Sequence, residues 1–173
     1  MVATPPPAPV LQLGGTGLGY FGRILGVALD TSGTIYVADH ENRRIQKFDA
    51  QGNFLSQFPV ATNPFAITIA NGMVYVAGES GGNDTYNLLE YDQVGGFIRG
   101  FGVNGVALLN VAVDPAGNVY VVEGSHGDVL KFAPDGTRLN NSFGGNHGNE
   151  AVATDGNYIY ITSCVPGGAA YPL

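Results

Sequence analysis

Basic side chains are scarce in this sequence. Arg23, Arg43, Arg44, Lys47, Arg99, Lys131 and Arg138 are the seven among 173 residues, against 14 acids, for a net charge of −7. Nucleic-acid and anionic-membrane binding rest on clustered Lys and Arg that meet phosphates. The one cluster, Arg43-Arg44-Lys47, is ringed by Asp39, Glu41 and Asp49. The expectation is a chain that binds neither nucleic acid nor a membrane surface. Cysteine is limited to Cys164, so no internal disulfide is possible. Its segment, Tyr158 to Cys164, is apolar, which suits a small buried hydrophobe better than a nucleophile. Long apolar runs are missing too: the longest span four to six residues, far short of the roughly 20 that a membrane-crossing helix needs. No helical period occurs anywhere. The first residues show neither a basic nor an apolar leader region. Residues 1–9 are instead rich in proline, as in a stiff extended linker, and imply a chain cut from something longer or a processed mature end.

What the sequence has in quantity is glycine, 27 residues of it, placed with a period. Val27-Ala28-Leu29-Asp30, Gly33 and Ile35-Tyr36-Val37-Ala38-Asp39 return as Val111-Ala112-Val113-Asp114, Gly117 and Val119-Tyr120-Val121-Val122-Glu123. Looser copies run through Ala66 to Ala77 and Ala151 to Thr162. The recurring tyrosine stands at 36, 75, 120 and 160, at spacings of 39, 45 and 40 residues. A period near 40 built of short strands and tight turns predicts propeller blades.

Four strand-like pieces fall in each full repeat. First strands are expected at 26–30, 65–70, 110–114 and 151–155. Second strands are expected at 34–39, 73–77, 118–123 and 158–164. Both sets are apolar and β-branched, as in strands covered on both faces by neighbouring blades. Gly33, Gly72, Gly117 and Gly156 mark the hairpins between them. Third strands are expected at 44–48, 87–91 and 128–132, and fourth strands at 54–58, 97–101 and 138–143. Residues 10–15 resemble a fourth strand without its first three, and the last repeat shows two strands and the start of a third. The expected organisation is a linker at 1–9 and an all-β propeller or propeller fragment over 10–173. Either residues 10–15 complete the last blade, or other chain segments complete the ring.

Repeat one, from Gly26-Val27-Ala28-Leu29-Asp30 through Asp39, Asn42 and Arg44 to Phe48-Asp49, resembles the NHL repeat. The Gly-rich leader, Gly14 to Gly22, resembles the run that precedes an NHL first strand. Repeat three replaces the Asp, Asn and Arg trio with Glu123 and Asp128, and repeat two carries an insertion near Gly81-Gly82-Asn83-Asp84. The resemblance implies four-stranded antiparallel blades, usually six in a ring, of which this chain supplies about four. It also implies one of three kinds of function: protein or RNA binding, extracellular sensing, or lyase chemistry at a pore metal.

Several residues are candidates for chemistry. Gly17-Leu18-Gly19-Tyr20-Phe21-Gly22 matches G-x-G-x-x-G, but it leads into a strand, and a dinucleotide site needs a helix there. His40, His126 and His147 fall in loops expected on one face, where three imidazoles could hold Zn²⁺. Asp39, Glu79 and Glu123 share that rim, where carboxylates could hold Ca²⁺. For Asp39, a turn shared with Asn42 and Arg44 is the stronger expectation. Asn83-Asp84-Thr85 and Asn140-Asn141-Ser142 fit the glycosylation pattern, which matters only in a secreted protein.

These residues favour a non-enzymatic binding or scaffold module in an extracellular or envelope protein. Its expected contact residues are His40, Glu79, Tyr86, Glu123, His126 and His147, its expected partner is a protein or the chains that complete the ring, and no cofactor is expected beyond Ca²⁺ or Zn²⁺ in the pore. The alternative is a metal-dependent lyase or lactonase acting in the pore, although no nucleophile–base pair is legible.

Overall fold

Each repeat folds outward from a tight hairpin. The computed structural model describes residues 19–79, 86–103, 106–143, 148–163 and 169–172. Blade one runs through Ile24–Leu29 (β1), Ile35–Asp39 (β2), Arg44–Phe48 (β3) and Phe54–Pro59 (β4). Blade two runs through Asn63–Ala70 (β5), Met73–Glu79 (β6), Leu88–Asp92 (β7) and Phe97–Phe101 (β8). Blade three runs through Leu108–Val113 (β9), Val119–Glu123 (β10), Val129–Phe132 (β11) and Arg138–Phe143 (β12). Asn149–Thr154 (β13), Tyr158–Ser163 (β14) and Ala169–Pro172 (β15) make a three-stranded fourth sheet. Within every sheet the strands lie in chain order and pair antiparallel. These are propeller blades, as the repeat predicts. The proposed pairing of residues 10–15 with the last blade lies outside the described residues.

The hairpins explain the glycines and the tyrosines together. Gly33 and Gly117 sit at φ +85° and +87°, a region that costs an L residue roughly 1–2 kcal/mol. Ahead of Gly33, the Asp30 carboxylate accepts the N–H groups of Ser32 and Thr34, each at 2.9 Å. Asp114 likewise accepts from the N–H of Asn118 at 2.9 Å. The same carboxylates take the phenol of the recurring tyrosine: Tyr36 to Asp30 at 3.3 Å, Tyr120 to Asp114 at 3.0 Å and Tyr160 to Asp155 at 2.7 Å. A buried phenol needs such an acceptor, so the turn aspartate and the tyrosine recur as a pair.

Blade two solves the problem differently. Its turn is Asn71-Gly72, both at positive φ, 51° and 74°, the signature of a two-residue hairpin. No aspartate stands there. The Tyr75 phenol donates to Glu90 instead, at 3.2 Å. Glu90 is the cross-strand partner of Tyr75, in the position that Lys47 and Lys131 hold opposite Tyr36 and Tyr120. Those two ammonium groups sit 5.1 Å from their tyrosine ring centroids, within cation–π range.

The core is a series of blade–blade interfaces. Ala28, Tyr36 and Ala38 pack on Ile67, Val74 and Val76; Ala66, Tyr75 and Ala77 on Val111, Val119 and Val121; and Ala112, Tyr120 and Val122 on Val152, Ile159 and Ile161. Alternate residues of one strand therefore point to opposite neighbours, which is why both parities are apolar. Coverage on both faces fails at the two ends of the series. Val27 and Leu29 are each 62% exposed, and Tyr160 is 43% exposed, because no described element lies over them. All four first strands begin two residues earlier than expected, at Ile24, Asn63, Leu108 and Asn149, each beyond a register shift against the second strand. β15 is a complete third strand, paired to β14.

Candidate binding surface

The turns after the second strands and the links between blades lie side by side. His40 donates its backbone N–H to the Arg23 carbonyl at 2.8 Å, and Gly124 donates to Ala107 at 2.8 Å. Val60, just past β4, donates to the Arg43 carbonyl at 2.9 Å. The two kinds of loop therefore share one face, on which the sequence placed its candidate residues.

Asp39 anchors that face in blade one. It is fully buried at the end of β2. Its oxygens accept from the Gly22 N–H at 3.0 Å, from the Asn42 amide at 3.0 and 2.9 Å, from Arg44 Nε at 2.9 Å and from Gln46 Nε2 at 3.1 Å. Arg44 and Gln46 reach on to the Tyr20 carbonyl, at 2.5 and 2.9 Å. The Asn and Arg that resemble the repeat signature thus fix the leader loop against the blade. Burial pushes the Asp39 carboxyl up, but the hydrogen bonds from Asn42, Arg44, Gly22 and Gln46 outweigh it and hold the group below its ordinary value. The turn assignment for Asp39 is what the structure shows.

Glu123 is the equivalent residue of blade three. It is buried at the end of β10. Its carboxylate accepts from the Ser125 N–H at 3.0 Å, from the Ser125 hydroxyl, and from the His126 N–H at 3.3 Å. Burial raises this carboxyl and the bonds from Ser125 and His126 lower it, with a net shift downward. Blade two has glycine at this position. A side chain on Gly78 would overlap the Asn63 carbonyl, so Glu79 falls one residue later. Glu79 is half-buried, and its carbonyl accepts from the Thr62 hydroxyl at 2.6 Å.

The other candidates are spread along the face. His40 packs its ring on Phe65, with centroids 4.9 Å apart, and its Nδ1 lies 3.3 Å from the Pro64 carbonyl. It staples blade one to blade two. Tyr86 is exposed, with its ring over Gly100, where a Cβ would have no room. The His126 side chain is 66% exposed and its Nδ1 lies 3.3 Å from Glu123. His147 lies outside the described residues, as do residues 81–85. Glu123 and His126 are brought together; His40, Glu79 and Tyr86 each stand in their own surroundings.

Ser125, His126 and Glu123 form a serine–histidine–carboxylate grouping, but not one built for nucleophilic attack. The Ser125 hydroxyl and Glu123 both meet the same ring nitrogen, Nδ1, at 2.9 and 3.3 Å. A relay needs the hydroxyl on one nitrogen and the carboxylate on the other. Among the described residues, no three His, Cys, Asp or Glu side chains gather as a metal site would require. Beside this grouping is a polar cleft of about 320 Å³, lined by Val103, Val106, Glu123, His126, Asp128 and Arg138. The composition of the sequence did not reveal Arg138 as part of it, since a lone arginine opening an outer strand carries no local signal.

Comparison with known proteins fits this geometry. Residues 21–48 match the family model described as NHL repeat. The chain is 33% identical over 131 residues to the protein brain tumor of Drosophila melanogaster, a match that covers 70% of this chain and 12% of that protein. It therefore spans about an eighth of that relative. Among solved structures, the Dos1 propeller superposes with a TM-score of 0.66 at 15% identity, over 86% of this chain and 44% of that one. The computationally designed Ika4 protein superposes at 0.69 with 13% identity, over 92% and 99%. The repeat signature, the blade topology and these likenesses agree: the chain is a β-propeller of the NHL-repeat type.

Proposed function

We propose that the chain is a non-enzymatic binding module that recognises a protein partner through the loop face carrying His40, Tyr86 and His126. The observation that carries this reading is the division of labour on that face. Asp39 and Glu123, the groups with the most chemical potential, spend their oxygens on the protein's own turns. The exposed groups are the His126 imidazole and the Arg138 guanidinium at an open cleft and, apart from it, the Tyr86 phenol, and such side chains supply contact area and adaptable hydrogen bonds. The likeness to NHL-repeat relatives supports the same reading. Catalysis in the pore gains no comparable support, because the Ser125–His126–Glu123 grouping is not arranged as a relay. The excess of acids further favours a protein over a nucleic acid as partner.

The test is site-specific photocrosslinking in a lysate of the source cells. A photoreactive residue at 126 samples the loop face, and one at Val94, 86% exposed in the β7–β8 turn, samples the opposite face. A discrete protein adduct at 126 and none at 94 is the expected result. The same adducts at both positions, or RNA as the captured species at 126, would overturn the reading.

A further inference from the structure

Blade three lacks the cation that blade one builds into its loop face. In blade one, Asp39 faces Arg44 across the β2–β3 pair. The Arg44 guanidinium fills the space beside it, donating from Nε to Asp39 at 2.9 Å, from Nη1 to the Gln57 amide oxygen at 2.7 Å and from Nη2 to the Tyr20 carbonyl at 2.5 Å. Glu123 holds the Asp39 position in blade three. Its N–H donates to the Asp128 carbonyl at 2.8 Å, so Asp128 stands opposite it where blade one has the arginine. Strand register extends the correspondence. Tyr36 pairs with Lys47 as Tyr120 pairs with Lys131, so Asn42, Arg44 and Gln46 answer to His126, Asp128 and Leu130.

The space that the arginine fills in blade one is open in blade three. Glu123, His126, Asp128 and Leu130, the counterparts of the Asp39 network, all line the cleft of about 320 Å³, and Val103 and Val106, in the link from blade two, form another wall. Asp128 is half-buried, and its carboxylate makes no ion pair or side-chain hydrogen bond with a described residue. Behind the wall, Asn87 is 1% exposed and donates its amide to the Val106 carbonyl, while its Oδ1 has no partner among the described residues. This corner therefore holds more acceptors than donors, and buried acceptors without donors are costly. Arg138, on the outermost strand, lines the same cleft and is exposed. No ion pair joins it to either carboxylate among the described residues.

We propose that this cleft is a socket for an arginine side chain of the protein partner, whose guanidinium takes the place that Arg44 holds in blade one. The protein's own repeat supplies the template for that occupant. A guanidinium presents a planar fork of donors that meets two carboxylates side by side, whereas an ammonium is a point charge. Glu123 retains capacity for it. Its oxygens accept from Ser125 and His126, whereas Asp39 accepts from Arg44 in addition to Gly22, Asn42 and Gln46. The cleft volume lies at the lower end of the range for ligand pockets, which suits one side chain better than a helix or a strand. The net charge of −7 draws a cationic group toward the surface. The inference rests on the reading of the loop face as a recognition surface and gives that surface its anchor.

The test is a titration of the ¹⁵N-labelled full chain with Nα-acetyl-arginine amide, followed by amide chemical shifts. Saturable shifts are expected at Val103 and over residues 123–130, with a Kd of about 1 mM. Nα-acetyl-citrulline amide, uncharged but of the same shape, is expected to give none. Asp128→Asn should weaken binding by about fivefold. Asp128→Arg supplies the cation from within the chain, as blade one does, and should abolish binding. The position is only half-buried, and the dispersion of the same spectra checks that both variants fold. Equal binding of the citrulline probe would overturn the proposal. So would binding of Nα-acetyl-glutamate amide in its place, which would make the cleft an anion site of His126 and Arg138. Shifts equally large at the turns of Asp49 and Asp135, on the opposite face, would reduce the effect to general charge attraction and overturn it too. A silent titration refutes the socket whatever a photoreactive residue at 126 captures. Saturable binding of the arginine probe with no protein captured at 126 refutes the partner instead, so the two readings fail separately.

Discussion

The Tyr75 phenol donates to Glu90 at 3.2 Å, and Glu90 also lies 2.7 Å from Arg99 Nε. Tyr36 and Tyr120, its counterparts, donate instead to turn aspartates and face lysines across the strand. Blade two has thus exchanged acceptor and cation together: the acid moved from the turn to the third strand, and the base moved from the third strand to the fourth. Each repeat keeps the same physical requirement, an acceptor for a buried phenol and a cation for the resulting carboxylate or ring, and meets it from different positions.

Glu90→Lys is therefore expected to destabilise the protein by about 2–3 kcal/mol, since it strands the phenol and faces Arg99 with a like charge. Adding Arg99→Ser removes the like-charge contact and leaves the cross-strand pair of blade one, where Lys47 lies opposite Ser56, though not the turn aspartate that accepts the Tyr36 phenol. The double variant should recover part of the loss in urea unfolding. A double variant less stable than Glu90→Lys would contradict the exchange.

Asp39 and His126 should behave in opposite ways. Asp39→Ala removes the acceptor for Gly22, Asn42, Arg44 and Gln46 inside the fold, and a cost of about 3–5 kcal/mol is expected. His126→Ala, at an exposed loop position, should stay within about 0.5 kcal/mol. Glu123→Ala should fall between, at about 1–3 kcal/mol, because the buried carboxylate satisfies its own turn. Denaturant midpoints of the three variants rank them directly.

Stability should fall at both ends of the pH scale. The carboxyls of Asp39, Asp114 and Glu123 are held below their ordinary values: burial opposes this, and hydrogen bonds outweigh it. A depressed folded value favours the folded state above the ordinary carboxylate range, and that contribution disappears as acid protonates the folded groups. Tyr36 and Tyr75 run the other way. Burial, then the nearby Asp30 or Glu90, pushes each phenol up to about 12. Their contribution is complete below the ordinary value of 10.0 and is lost as pH rises from there toward 12. Thermal scans should show a plateau near neutrality, with losses below about pH 4 and above pH 10. Tyr75→Phe should soften the alkaline loss.

Much of this was legible in the sequence because turns and faces leave local marks. Asp30 and Gly33 announce a hairpin, and Tyr36 three residues on announces its return strand. Asp39, Asn42 and Arg44 are close enough in sequence to read as one turn. What did not read were relationships across strands. Glu90 looks like a surface charge until its register with Tyr75 is known. Gly78 looks like a lapse in the repeat until the Asn63 carbonyl is found in the space a side chain would need. Glu123 looks like a free rim ligand because its burial comes from a fold around it. β15 leaves only a partial mark in the sequence because Ala169-Ala170-Tyr171-Pro172 has little strand propensity and takes its shape from pairing with β14.

Binding to RNA offers a check on the charge reading. Filter binding at low salt, where phosphate contacts are strongest, should show nothing tighter than about 10⁻⁴ M. Micromolar affinity that weakens with salt would contradict it and redirect the search for a partner.

The central claim is that the buried carboxylates of the loop face serve the fold, leaving the exposed loops for recognition. Thermal unfolding with millimolar Ca²⁺, with Zn²⁺ and with a chelator tests it most directly, because an ion held by the folded state alone must raise its stability by mass action. The expected result is one unfolding temperature in all three conditions. A rise of several degrees with either ion, abolished by Glu123→Ala, would contradict the account and make the face a metal site.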